Sequence, residues 1–230
     1  MTTKEIVKKA LIEVYEKYKD EGLKSVYLYG SILTKDFNEK TSDVDSIGIA
    51  ADSISVEVED EIKNFLKEKY PQVNTFGFRF LYVSELNGGS IKGTLATFIH
   101  PSIHLLCLPY WEHVVGKSYS RENFSLPEIT NQEAIKIEVK NNIIGWKWQD
   151  VSKIQEDKQM YFLKALAWII YFIQKDRGIN ETFSYSDLLK NSQEERGVME
   201  AILKVKKNNW SPQIFKENTP LFQSFINKFL

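Results

Sequence analysis

Two aspartates separated by one valine, Asp43 and Asp45, open the apolar run VDSIGIA, and a Gly-Ser pair, Gly30 and Ser31, closes the earlier run SVYLYG. Alternate residues of an extended strand share a face, so the two carboxylates would lie side by side. Like charges that close need an offset, and a hard divalent cation held by oxygen ligands, Mg²⁺, is the usual one. The glycine lets the backbone approach a ligand closely. Exposed N–H groups of a turn attract phosphate oxygens, and the serine hydroxyl adds a donor. Eleven residues, 32–42, lie between Ser31 and Asp43, which is room for a short helix and a return into a neighbouring strand. Either feature alone is common in turns and on surfaces. Together, each joined to a β-like run, they describe a triphosphate between a donor-rich turn and a metal-holding carboxylate pair.

The elements that must position these groups are legible as patterns. Ile6, Val7, Ala10, Leu11, Val14, Tyr15 and Tyr18 recur at helical spacing over 3–20, and Gly22 ends that helix. Strands are expected over 25–30, 44–50, 76–83 (FGFRFLYV) and 102–108 (SIHLLCL). SISVEVEDEIKNFLKEKY reads as a helix with Ser53 or Ser55 as its N-cap, and Pro71 closes it. The stretch 116–130 is polar and turn-rich and reads as a linker or boundary. Thr130 and Glu133 have capping-box spacing, and helices are expected over 131–150, 156–176, 186–206 and 212–229. The class is α+β: a mixed sheet with helices over 1–112, then an α-helical bundle over 125–230. A cleft between two such domains is a usual place for a small-molecule site.

The chain has 230 residues, 43% of them hydrophobic, which is enough for a substantial core. Its 30 basic and 31 acidic residues leave a net charge of −1, with no global footprint for nucleic acid or an anionic membrane. The lysine-rich runs KKALIEVYEKYK and KVKKNN read as solvated faces. The sole cysteine, Cys107, excludes an intramolecular disulfide and reads as a buried small hydrophobe of a protein in the reducing cytoplasm. Charges interrupt every apolar window of the first twenty residues, so no signal peptide is expected. The longest apolar run, MYFLKALAWIIYFI, contains Lys164 and is too short for a bilayer. His100, His104, His113 and Cys107 match no strong zinc spacing. Trp146 and Trp148, two apart, would lie on different faces of a helix, and Trp168 reads as core.

YGS followed by DVD resembles the nucleotidyltransferase fold of the DNA polymerase β type, in which a Gly-Ser turn precedes a metal-binding Asp-x-Asp pair. The resemblance covers residues 22–50 closely. More loosely, GWKWQDV, QMYFLKALAWIIYFIQKDRG and YSDLLKN are similar to the helical half of aminoglycoside adenylyltransferases of the streptomycin/spectinomycin type. What the resemblance implies is transfer of a nucleotide, AMP from ATP, to an acceptor hydroxyl, with Mg²⁺ as cofactor. An aminoglycoside is the acceptor class it favours. By match to the motif, Gly30 and Ser31 hold the triphosphate, and Asp43 and Asp45 bind the metal and carry catalysis; Ser42 and Arg79 are further nucleotide-binding candidates outside that match. Glu85, Trp111 and Glu156 are candidates for the acceptor site: Trp111, with His113, falls near the expected domain junction, and acids of the helical half, where Glu156 stands, bind cationic aminoglycosides in such enzymes.

Two features depart from that pattern. Active members carry a third carboxylate on the strand after the intervening helix, where it completes the metal site or acts as general base. Here Phe76, Phe78, Phe80 and Tyr82 share one face, and Gly77, Arg79, Leu81 and Val83 the other, with no acid on either. Three explanations stand: Arg79 neutralises the aspartate pair itself, the acid comes from Glu85, Glu133, Glu138 or Glu156, or Arg79 binds triphosphate in an altered active site. The second departure is in GINETFSYSDLLKN, where Lys190 is the first lysine and its register with the lysine of such enzymes is unsettled. Two further readings therefore stay open, a catalytically impaired nucleotide-binding regulator and an antitoxin-type enzyme that transfers AMP to a protein. The helical half argues against the latter, whose members are usually shorter.

Overall fold

The computed structural model describes residues 2–179 and 183–230, so part of the segment GINETFSYSDLLKN lies outside the described residues. The chain divides into two compact units, Met1–Glu128 and Ile129–Leu230.

The first unit begins with α1 (Thr3–Tyr18), opened by a capping box in which Glu5 N–H donates to Thr2 Oγ1 and Glu5 Oε2 accepts from Thr2 N–H. β1 (Leu23–Tyr29), β2 (Val44–Ala50), α2 (Val58–Lys69) and β3 (Phe76–Tyr82) follow. Three short helices come next, α3 (Val83–Leu86), α4 (Thr94–Phe98) and α5 (Pro101–Cys107), and then β4 (Glu112–Gly116). The sheet order is β3-β2-β1-β4. β1 is antiparallel to β2 and β4, whereas β2 and β3 are parallel, because α2 supplies the crossover that parallel neighbours require. One sheet face packs Val26, Leu28, Val44, Phe78 and Phe80 against Leu11 and Val14 of α1 and Ile62 and Leu66 of α2. Burying each aromatic of this face contributes roughly 1.5–3 kcal/mol. The opposite face packs Tyr27, Ile47, Ile49 and Leu81 against Leu86, Leu95, Leu105 and Phe124.

Three expectations need correction here. The run 102–108 is not a strand but most of α5. Pro101 occupies its first turn, and the His100 side chain accepts Ser102 N–H at 3.2 Å as the cap. The fourth strand is instead β4, whose residues are exposed or half-buried, so it lacks an apolar signature. Neither Ser53 nor Ser55 caps α2. Its N-cap is Glu57, Ser53 Oγ donates to Glu21 O at 2.9 Å, and Ser55 Oγ donates to the Glu57 carboxylate. The polar segment 116–130 does contain the boundary between the units, after Glu128, but it is not a free linker: Tyr119 N–H donates to the Tyr27 hydroxyl at 2.7 Å, Ser125 N–H to Asn87 Oδ1 at 2.7 Å, and Phe124 is buried in the core.

The second unit is helical: α6 (Asn131–Glu138), α7 (Glu156–Asp176), α8 (Tyr185–Asn191), α9 (Arg196–Lys207) and α10 (Pro212–Ile226). The Thr130–Glu133 capping box opens α6. The expected helix over 131–150 is regular only to Glu138. Val139–Ile144 form a π-helical turn, and Lys147 takes a positive φ of 59°. Trp146 and Trp148 therefore stack on each other, 5.7 Å between centroids, instead of diverging. The expected helix over 186–206 is two helices. Buried Ser192 donates to Leu188 O at 2.6 Å, and Gln174 Nε2 of α7 donates to the same carbonyl and to Ser192 Oγ. These bonds satisfy the Leu188 carbonyl near the end of α8, which a continuous helix would have used. No described helix is long and apolar enough to cross a membrane.

Candidate functional site

β1 ends at Tyr29, and Gly30 turns the chain with a φ of +76° into a single 3₁₀ turn, Gly30–Leu33. Side chains other than glycine rarely adopt that φ. The Ser31 carbonyl accepts both the N–H and the hydroxyl of Thr34, at 2.9 and 3.0 Å. The return to β2 is a closed loop: Asn38 N–H donates to Ser42 Oγ at 3.0 Å, and Ser42 N–H donates to Asn38 O at 2.8 Å. The Ser42 hydroxyl thus fixes the loop directly before the aspartates.

Asp43 is exposed, and Asp45 is half-buried within β2. Asp45 lies opposite Tyr29 across the β1–β2 pair and opposite Gly77 across the β2–β3 pair. Its carboxylate occupies space that side chains at both glycines would need. A Cβ at Gly30 would stand 2.9 Å from Asp45 Oδ2, and a Cβ at Gly77 would stand 3.0 Å from Oδ1. This cradle sets the carboxylate between the turn and the sheet. Among the described residues, no group of three or more His, Cys, Asp or Glu side chains is arranged to hold a metal ion. Asp43 and Asp45 offer only hard oxygen atoms, the donor type that suits Mg²⁺, an ion that keeps several waters and needs few protein ligands.

The register moves the question of the third carboxylate. Gly77, not Arg79, stands directly opposite Asp45; Arg79 is one step further, opposite Ile47. Arg79 Nη1 donates to Phe78 O at 3.1 Å and approaches Glu59 Oε2 of α2 at 3.7 Å, so its ion pair is with Glu59. Glu59 was not apparent from sequence, where it is one of several acids at the start of an amphipathic helix. It is 2% exposed, and its carboxylate also accepts Phe80 N–H and the Thr94 hydroxyl, each at 2.8 Å. Burial raises its pKa, against those two bonds and Arg79. The Tyr29 phenol connects the two halves of the site electrostatically: burial and Asp45 push its pKa up, and Arg79 pulls it down.

Glu85 is buried and committed to backbone, with Oε1 accepting Lys92 and Gly93 N–H at 2.6 Å and Oε2 accepting Tyr82 N–H at 2.9 Å. It clasps the loop between α3 and α4. Trp111 packs in an aromatic cluster with Tyr27, Tyr29 and His104, at centroid separations of 6.1, 6.0 and 5.8 Å. Burial pushes the His104 imidazole down to about 3, so it is neutral there. In the second unit, Glu133 accepts Thr130 N–H in its capping box and Glu156 starts α7 exposed. Glu138 is buried and bonded to Asn142 Nδ2 at 2.7 Å. Lys190 is exposed in the last turn of α8.

A direct consequence follows for the turn. Gly30→Ala forces an L-residue into left-handed backbone, which costs about 1–2 kcal/mol, and sets its Cβ against Asp45. Thermal unfolding is expected to show that loss. Gly77→Ala, which meets the same carboxylate without a positive φ, is expected to lose less.

This mixed sheet with its helical second unit has the nucleotidyltransferase fold. No protein-family model matches the chain, and no curated protein matches it in sequence. Among solved structures, it is similar to that of spectinomycin adenyltransferase AAD(9) from Enterococcus faecialis with ATP and spectinomycin. The TM-score is 0.51 at 15% identity, over 97% of this chain and 98% of that one.

Proposed function

We propose that the chain is a nucleotidyltransferase that moves AMP from ATP to a hydroxyl of a small molecule. The observation that carries this reading is the cradle of Asp45 between Gly30 and Gly77, set at the end of a Gly-Ser turn. A fold shared with an adenyltransferase solved with ATP supports it. Gly30 and Ser31 bring backbone to the triphosphate, Ser42 fixes the loop that presents Asp43, and Arg79 offers a cation on the Asp45 face of β3. Asp43 and Asp45 would hold Mg²⁺, which when bound neutralises charge on the reacting phosphoryl group. The chain's own part is to orient the triphosphate, so that in-line attack is favoured by position and preorganised charge. Glu85 enters this reading as a clasp of the wall beside the site. Trp111, in the first unit, and Glu156, in the second, are each carried separately as acceptor candidates on their sequence positions. The neighbour's second ligand makes an aminocyclitol or aminoglycoside the acceptor to try first.

The test is incubation with α-labelled ATP, Mg²⁺ and a panel of aminoglycosides including spectinomycin. Label in one acceptor together with pyrophosphate release is the expected result. Absence of both with every acceptor, in protein that binds ATP, favours the second reading, a nucleotide-binding regulator. The observation behind that alternative is Gly77 in the register position opposite Asp45, where no acid stands.

A further inference from the structure

Glu59 is built in a way its structural duties do not require. Its carboxylate already ties α2 to the outer edge of β3 through Phe80 N–H and to the start of α4 through Thr94. A neutral amide would serve for both: its carbonyl accepts from Phe80, and its NH₂ donates to the Thr94 oxygen. A buried anion adds a desolvation penalty that those two bonds only partly offset. The charge has its ion-pair partner in the Arg79 guanidinium at 3.7 Å, with Lys63 adding a weaker attraction. Arg79 itself is 38% exposed at its side chain, so water reaches it and a counter-ion is not needed to keep it charged. The arrangement is therefore asymmetric, with a buried anion holding an accessible cation. That cation rises from the same face of β3 as Gly77, which abuts the Asp45 carboxylate.

We propose that Glu59 is a positioning residue for the nucleotide, which holds the Arg79 guanidinium over the Asp45 face of the sheet to receive triphosphate oxygens. The proposal rests on the nucleotidyltransferase reading. It accounts for an acid standing at a buried position of α2, and for the strand that lacks a carboxylate carrying an arginine two residues beyond Gly77. The exposed guanidinium pairs with phosphate through planar, two-pronged hydrogen bonds. Glu59 limits the rotamers it samples beforehand, which lowers the ordering penalty of binding.

The experiment measures ATP affinity with Mg²⁺ by calorimetry in the intact chain for four proteins: wild type, Glu59→Gln, Arg79→Gln and the double variant. Thermal unfolding and the ¹⁵Nε relaxation of Arg79 are recorded alongside. Glu59→Gln is expected to unfold within a few degrees of wild type, to release Arg79 Nε–H into faster motion, and to weaken ATP about tenfold. Arg79→Gln is expected to lose at least as much, and the double variant no more than Arg79→Gln, because the two side chains act as one unit. Unchanged ATP affinity in Glu59→Gln, or losses that add in the double variant, would overturn the positioning role while leaving the nucleotidyltransferase reading intact. Wild type without ATP affinity removes that reading, and this inference with it. If Glu59→Gln does not fold, Arg79→Lys decides: a charge without the planar fork is expected to recover less than half of the lost binding energy, and full recovery contradicts the proposal.

Discussion

Under the proposed nucleotidyltransferase reading, Asp45→Asn is expected to abolish nucleotide transfer, lowering kcat by about three orders of magnitude, while leaving the fold intact. The substitution keeps shape and volume, and Asn fits the cradle between Gly30 and Gly77 as the aspartate does. What it removes is one of only two carboxylates at the head of β2, in a site where no cluster of three is found among the described residues. If Asp45 holds metal as proposed, loss of its charge takes away several kcal/mol of transition-state stabilisation, and each 1.36 kcal/mol is a factor of ten. A site with a third carboxylate would have a reserve, and this one has none among its neighbours on β3. Initial rates with saturating ATP, alongside a melting curve, check the expectation. A variant that retains a tenth of the wild-type rate would mean the carboxylate pair does not carry the reaction.

The second large effect concerns stability in the helical unit. Burial raises the Glu138 carboxyl to about 7, with the Asn142 amide pulling the other way. The ordinary value is 4.5. Between these two values the folded chain holds a proton that the unfolded chain has released, so stability falls as pH rises through the window and levels off above it. The whole effect amounts to about 3 kcal/mol. Glu138→Gln removes the titration and keeps a hydrogen-bonding amide beside Asn142. Near pH 4.5 the variant and wild type are expected to unfold at similar urea concentrations. At pH 8 the variant is expected to be more stable by up to about 3 kcal/mol. Groups that titrate elsewhere cancel in the difference between the two proteins. A difference that stays flat from pH 4.5 to 8 would show that Glu138 does not titrate in this way.

Much of this architecture follows from local pattern. The alternation in FGFRFLYV and the helical spacing in 3–20 each specify their element with little help from distant residues, and the structure forms them at nearly the expected bounds, whereas the Thr130–Glu133 box fixes where α6 starts but not where it ends. The 102–108 run was misread because a short apolar stretch has no period that separates strand from helix; Pro101 and the His100 cap decide for helix. β4 was missed because it sits half-exposed at a sheet edge and carries mixed residues. The break between α8 and α9 depends on Gln174, contributed by another helix, and nothing local to 186–206 announces it.

The candidate site was legible to the same depth. Gly30, Ser31, Asp43 and Asp45 stand out because one stretch of chain contains them all. The position opposite Asp45 could not be read from β3 alone, since pairing register is a property of two strands, and it falls on Gly77 rather than Arg79. Glu59 was invisible for a related reason. Its meaning lies in Phe80, Thr94 and Arg79, which are distant in sequence and meet it only in the folded unit.

The central claim, that the Gly30–Ser31 turn and the Asp43–Asp45 pair form a triphosphate site, is tested most directly by titrating ATP into the wild-type chain with and without Mg²⁺ in a calorimeter. The account predicts saturable binding that Mg²⁺ strengthens and that Asp43→Ala with Asp45→Ala reduces to the metal-free level. No detectable binding in either condition, or binding in the double variant that Mg²⁺ still strengthens, would contradict it.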